Sequence, residues 1–417
     1  MIKKIFLGLL ICLSLVACQN KKTTLNDSKN TTQVAKDSLD KKLTMILQKG
    51  SIIGYGVAVV NQDTTLYSKG FGLSKVDEKK PYTKSTIQNI ASVSKTIIGV
   101  ALLKAQENGD LNLDDAINKY LPFEVINPYF PKDTITIRQL ATHTSSIQDG
   151  ETYGDKSYVL QNGDDLEMAK SLPISEEFNA PNEMLDMGTF LEYFLSEEGK
   201  WFNKSNYLEL KPGERFEYSN VGATLAAYII ERATGQSYSE YTAEHILRPL
   251  GMTATGWQAS NVDTDQLSHL FTVEGSRIPD YTLITYPDGG LITSVEDMAK
   301  YLSELIQGYS GKGKLLSKAS YAQLFDEFLS DDNFEEERDT ERLFDDEYNS
   351  GLFMGHTPIG YIGHTGGDPG VSTFMFFNPK TKIGKLLFVN TDLDQKGANQ
   401  FFTIWDTLGE YELLLNE

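Results

Sequence analysis

Cysteine is nearly missing from this chain. The two present, Cys12 and Cys18, both lie close to the N-terminus, so the remaining sequence can form no disulfide and offers no thiol nucleophile. Histidine is scarce too, at five residues, and no His/Cys cluster has the spacing of a zinc site. Positive charge is in deficit. With 38 Lys and Arg against 58 Asp and Glu, the formal charge is -20, and no basic stripe with interleaved aromatics occurs, which excludes DNA and RNA as partners. The densest acidic run, "DDNFEEERDTERLFDDE" at 331–347, lacks the alternating oxygen ligands of an EF-hand; it is expected to be a solvated face or mobile loop. No internal repeat is present. These absences leave no metal or other cofactor to expect, and stability must come from an apolar core, for which 417 residues suffice.

The one long apolar run stands at the start. Lys3 and Lys4 precede "IFLGLLICLSLVA", the layout of a secretory signal and too short for a comfortable membrane span. It ends in "LVAC", which resembles the lipobox of bacterial lipoproteins. That resemblance implies cleavage after residue 17, a lipid on Cys18, and a location at the bacterial cell envelope with the membrane as partner. Residues 18–37 are polar and are expected to form a flexible tether.

Ordered structure is expected from about Ser38, with a short amphipathic helix. Two strand-like runs around the turn "NQD" follow as an antiparallel hairpin. Helical patterns and loops fill 111–275, and "NVGATLAAYIIERATG" reads as a buried helix with a terminal glycine stop. Strands return in "GYIGHTGGDPGVSTFMFFNPKTKIGKLLFVNTD", and "NQFFTIWDTLGEYELLL" is a closing helix. Strands at both ends with helices between predict an α+β sandwich: a sheet-plus-helix domain from 38–110 and 276–417, with a mostly helical domain over 111–275 inserted.

Chemistry is suggested by "IASVSKTIIGVALLKAQENG", 90–109. Ser92 and Lys95 stand three positions apart at a helix start, so hydroxyl and amine share one face. A lysine can take the serine's proton only when its amine is neutral, and burial plus a helix N-terminus both favour that form. Ser-x-x-Lys alone is weak, since "SLDK" at 38–41 also matches. Context comes from "PGERFEYSN", carrying Tyr218 and Asn220 before a helix, and "GHTGGDPG", carrying His364, Thr365, Gly366 and Gly367 at a strand.

Ser-x-x-Lys, Tyr-x-Asn and His-Thr-Gly, in that order, resemble the serine β-lactamase and penicillin-recognising family, most closely its class C β-lactamase and esterase branch. "STIQNIASVSK", "IRQLATHTSSI", "ILRPLGMTATGW" and "YPDGGLITSVEDMAKYL" are similar to the same family. The resemblance implies an antiparallel sheet flanked by helices and an acyl-enzyme on Ser92. Lys95 would accept the proton, and Tyr218 would shuttle it to the leaving group. Asn220 would bond the substrate's acyl side, His364, Thr365 and Gly366 would bind substrate, and the main-chain N–H groups of Ser92 and Gly367 would form the oxyanion hole.

Two departures from the family stand out. His143 in "THTSS" is read as a loop-holding residue, and Ser146 occupies a place where the family commonly has glycine, so that loop's backbone is expected to differ. His364 replaces the lysine of Lys-Thr-Gly, whose ammonium attracts a substrate carboxylate, and an ordinary imidazole is mostly neutral at pH 7. Weight therefore moves toward a small-molecule or peptide ester or amide. A penicillin-binding D,D-carboxypeptidase or β-lactamase is the alternative, and a non-hydrolytic sensor on the same fold is a third. Tyr153, Tyr158, Trp201, Phe202 and Tyr207 could wall the pocket or simply pack the helical region. The sequence names neither oligomeric state nor natural substrate.

Overall fold

The computed structural model describes residues 31–173 and 178–417. The signal segment, Cys18 and the tether as far as residue 30 lie outside the described residues. Eight antiparallel strands form the main sheet: β1 (Gly54–Asn61), β2 (Thr65–Lys75), β3 (Lys80–Pro81), β4 (Asn349–Ser350), β5 (Gly355–His356), β6 (Ile362–Asp368), β7 (Val371–Asn378) and β8 (Ile383–Val389). Their spatial order is β4-β5-β6-β7-β8-β1-β2-β3. Chain start and chain end therefore meet in the middle, where β1 pairs with β8 from Tyr55 opposite Val389 to Asn61 opposite Ile383.

Both faces of this sheet are buried, so its central strands β1 and β8 are mostly apolar, with Lys385 the buried exception. The period-2 alternation still sorts them. Tyr55, Val57, Val59, Phe376, Leu387 and Val389 face one core, closed by the helix α1 over 31–49 through Ala35, Leu39 and Leu43, and by the C-terminal helix Gln395–Leu415 through Phe401, Ile404, Trp405 and Leu408. Ala58, Val60, Met375, Leu386 and Phe388 face the larger core shared with α2 (Lys95–Asn108), α3 (Asn220–Thr234) and α4 (Val295–Tyr309).

The expected elements differ from this fold in two places. Helix α1 is already formed at residue 31, ahead of Ser38, because Ala35 lies one helical turn before Leu39 on the face that packs against the sheet. Thus 31–37 are helix rather than tether. The expected boundary at 275/276 falls inside a hairpin, Leu270–Phe271 with Arg277–Ile278, and Tyr158–Leu160 pairs with Tyr281–Leu283 across it. Helical insert and sheet domain are knit by strands that a hydropathy pattern of two or three residues cannot reveal.

Candidate active site

Ser92 lies in a 3-10 turn, Ala91–Ser94, that leads directly into α2. The turn is held from both sides. Ile90 N donates to Leu291 O, the Ser94 hydroxyl accepts from Leu291 N, and Thr373 of β7 donates its hydroxyl to Ile90 O at 2.8 Å. Ala91 adopts φ +48°, a left-handed conformation that alanine holds only under such constraint. Strand β6 runs close beside this turn because Gly366 has no side chain: a Cβ there would lie 2.6 Å from Ile90 O and 3.1 Å from Ser92 N.

Lys95 begins α2 and is fully buried. Its Nζ lies 2.9 Å from Ser92 Oγ, 2.6 Å from Asn220 Oδ1 and 2.7 Å from the Asp288 main-chain oxygen. The last two can only accept. A neutral amine has two N–H bonds and one lone pair, so donating to Asn220 and Asp288 leaves the lone pair for the Ser92 hydroxyl proton. Burial lowers the Lys95 pKa, against the opposing fields of Asp288, Asp149, Asp368 and Asp346, and the net shift is downward.

Tyr218 sits over this pair, with Lys95 Nζ 5.0 Å from its ring centre and its hydroxyl on the Ser92 side. Burial pushes its pKa well up against the opposing influence of Ser92, so the phenol keeps its proton in the free protein and lysine is the group able to act as base. His143 stacks on Tyr218 with ring centres 4.6 Å apart, and its Nδ1 accepts from Ser219 N. Burial holds His143 well below its ordinary pKa, which fits a neutral, loop-holding side chain. The loop's backbone was expected to differ at Ser146. There Ser146 takes φ +65°, a conformation glycine favours, and Asn127 Nδ2 donates to its hydroxyl at 2.8 Å.

Asn220, expected to bond the substrate's acyl side, is also engaged within the protein. Its Oδ1 accepts from Lys95 and its Nδ2 donates to Asp149 Oδ2 at 2.8 Å, so the amide is engaged at both ends within the protein. It positions the lysine. Asp149 in turn accepts from Asn220 N, Val221 N and the Ser219 hydroxyl, capping α3 at its first turn. Asp288 is buried and accepts through Oδ2 from Tyr153 and Thr224, and burial pushes its pKa up to about 6 against the pull of Lys95.

On β6, antiparallel pairing alternates the direction of successive N–H groups, so 363, 365 and 367 point to the edge that faces the site. Gly363 pairs there with Gly355, and Thr365 N donates to Asp346 Oδ2 at 2.8 Å. Gly367 N is the next donor along that edge, with open space beside its Cα.

Of the five aromatics, Tyr158 donates to Asp368 Oδ1 at 2.7 Å and Tyr153 to Asp288, placing both beside the site. Trp201 packs on Phe190, Phe202 on Tyr207, and Tyr207 bonds Leu195 O, so those three only fill the helical region. Sequence reasoning missed the carboxylates Asp149, Asp288 and Asp346. The signal for Asp288 was an acid before a glycine pair in an otherwise apolar stretch.

A family model described as Beta-lactamase matches residues 39–408. Protein flp of Staphylococcus aureus strain MW2 is 28% identical over 365 residues, which is 86% of this chain and 64% of that protein. Penicillin-binding protein 4* of Bacillus subtilis is 26% identical over 321 residues, 74% of this chain and 62% of that one. The chain thus spans somewhat under two thirds of the length of these curated relatives. Among solved structures, the octameric penicillin-binding protein homologue from Pyrococcus abyssi superposes with a TM-score of 0.66 at 24% identity, over 91% of this chain and 77% of that one. D-amino acid amidase from Ochrobactrum anthropi SV3 gives 0.63 at 20% identity, over 92% and 99%. The α+β sandwich expected from the strand and helix order is the fold these structures share, and a family match across nearly all the described chain means that this protein belongs to the beta-lactamase family of serine hydrolases.

Proposed function

We propose that this protein hydrolyses an ester or amide, including peptide or D-amino-acid substrates, through an acyl-enzyme on Ser92. The carrying observation is the Lys95 amine, which donates twice and points its remaining valence at Ser92 Oγ. In the first step the Ser92 Oγ–acyl bond forms as its proton passes to Lys95. The oxyanion rests on Ser92 N and Gly367 N, and Tyr218 passes the proton to the departing alcohol or amine as the scissile bond breaks. Water, giving up its proton through the same groups, then releases the acid and restores the hydroxyl. A sensor that only binds would need no neutral lysine at its serine.

A fluorophosphonate probe is expected to label Ser92 and no other residue, because only an activated hydroxyl attacks it readily. Peptide mapping of wild type and Ser92→Ala checks this. Label retained by the variant would overturn the assignment.

We infer further that Cys18 carries a lipid and anchors the protein at the bacterial cell envelope. The "LVAC" motif supports this, and no helix among the described residues is long and apolar enough to cross a membrane. Cys18→Ser should move the protein from the membrane fraction to the soluble one after its signal is removed. Retention in the membrane would count against lipidation.

A further inference from the structure

The acidic run 331–347 was expected to be solvent-facing, and most of it is. Its end behaves otherwise. The Asp346 side chain is only 9% exposed and reaches the start of the His-Thr-Gly triplet. Asp346 Oδ2 lies 3.0 Å from His364 Nδ1 and 2.8 Å from Thr365 N, and Oδ1 accepts from the Thr365 hydroxyl at 2.9 Å. His364 Nδ1 also meets Thr365 O at 2.6 Å, and since both neighbours are acceptors, this nitrogen carries a proton.

The placement is fixed by packing. Two residues earlier, Phe344 is set among Tyr361, Phe374, Phe376 and Trp405, and three residues later Asn349 enters β4. The backbone between can bring Asp346 in because residue 355 is glycine: a Cβ there would lie 2.5 Å from Asp346 Cβ. On the other side of the run, Phe334 stacks on Phe216 and Phe216 N donates to Asn333 O, tying the segment to the loop that carries Tyr218.

The donors Asp346 engages are an imidazole N–H, a hydroxyl and a main-chain N–H, converging on one carboxylate. A substrate carboxylate recognised by this triplet would need the same donors. We propose that Asp346 is a built-in occupant of the carboxylate-binding position, so that this enzyme acts on esters or amides whose leaving group is uncharged or cationic and turns away those ending in a carboxylate. The proposal rests on the hydrolase reading of Ser92. It deepens the consequence of His364: the anchor is filled from within. A competing anion must displace a tethered group from three bonds and then sit near Asp149, Asp288 and Asp368, whose charges already act on Lys95. A neutral or ammonium group meets no such opposition.

The test uses an N-acyl-D-alanyl-D-lactate depsipeptide and its methyl ester, which differ only in one carboxylate, with the full chain as wild type, Asp346→Asn and Asp346→Ala. Wild type should prefer the methyl ester. Both variants should swing the kcat/KM ratio toward the carboxylate by about tenfold to a hundredfold, the worth of a charge-assisted hydrogen bond gained and a repulsion lost. Asparagine keeps the shape and the acceptor for Thr365, so it reports even if alanine fails to fold, and fluorophosphonate labelling of Ser92 certifies each protein. A purely structural Asp346 would change both substrates equally. A wild type that prefers the carboxylate, or a ratio unmoved in labelled variants, would overturn the proposal while leaving the hydrolase standing. Absence of label on wild-type Ser92 would remove both.

Discussion

Lys95→Ala is expected to lower kcat by about 10²- to 10⁴-fold, the range for losing a positioned general base. Tyr218→Phe should cost a comparable factor, and the double variant little more than either single one, because both act on the proton that leaves Ser92. Full additivity, measured on one neutral ester, would mean that the two side chains do not share a relay. The pH profile supplies an independent readout. Activity needs the neutral amine, so kcat/KM should rise with pH through the Lys95 pKa, which burial sets below its usual value. Asp288 opposes that shift. Asp288→Asn removes a charge that favours the ammonium and should move the acid limb to lower pH, whereas a limb that stays put or moves up would put the base elsewhere.

Asp149→Ala is expected to damage stability and catalysis together. One carboxylate satisfies the main-chain N–H groups of Asn220 and Val221, the Ser219 hydroxyl and the Asn220 amide. Each partner left without an acceptor at a partly buried position costs about 1–3 kcal/mol, and water can recover some of it, so a loss of about 2–4 kcal/mol is expected from chemical denaturation. Asp149→Asn should fall between, since an amide offers one acceptor oxygen and turns two N–H bonds toward donors. In both variants the Asn220 amide is freed, and kcat should fall with little change in KM, because the amide holds the lysine. A stability loss below about 0.5 kcal/mol would show that solvent replaces this carboxylate freely.

The side chains of the relay were legible in the sequence because each sits in a short local motif. Ser92 and Lys95 share one helical turn, and Tyr218 and Asn220 bracket an N-cap, Ser219, so local geometry fixes their relation. The carboxylates were hidden for the opposite reason. Asp149, Asp288 and Asp346 are single residues in three loops, and only tertiary packing brings them to one amine. Composition correctly marked 331–347 as mostly solvated, yet it could not register that Phe344 pins one end in an aromatic cluster and draws Asp346 inward. The fold was legible at the level of sheet, hairpin and long helices. The short strands that stitch 158–160 and 270–271 to the later chain were not, since two or three residues carry no readable period.

The pairing of β1 with β8 bears on how the protein is made. At translation speeds of roughly 5–20 residues per second, β1 emerges from the ribosome on the order of 15–60 s before the strand it needs. Until then its partner edge is bare and the aromatic face that Trp405 later covers is open to water. Such a long-range closing step is slow. A chain broken off between residues 220 and 383 would possess every side chain of the proton relay and still lack the strand that joins the two halves of its sheet, leaving a product for proteases and chaperones to deal with.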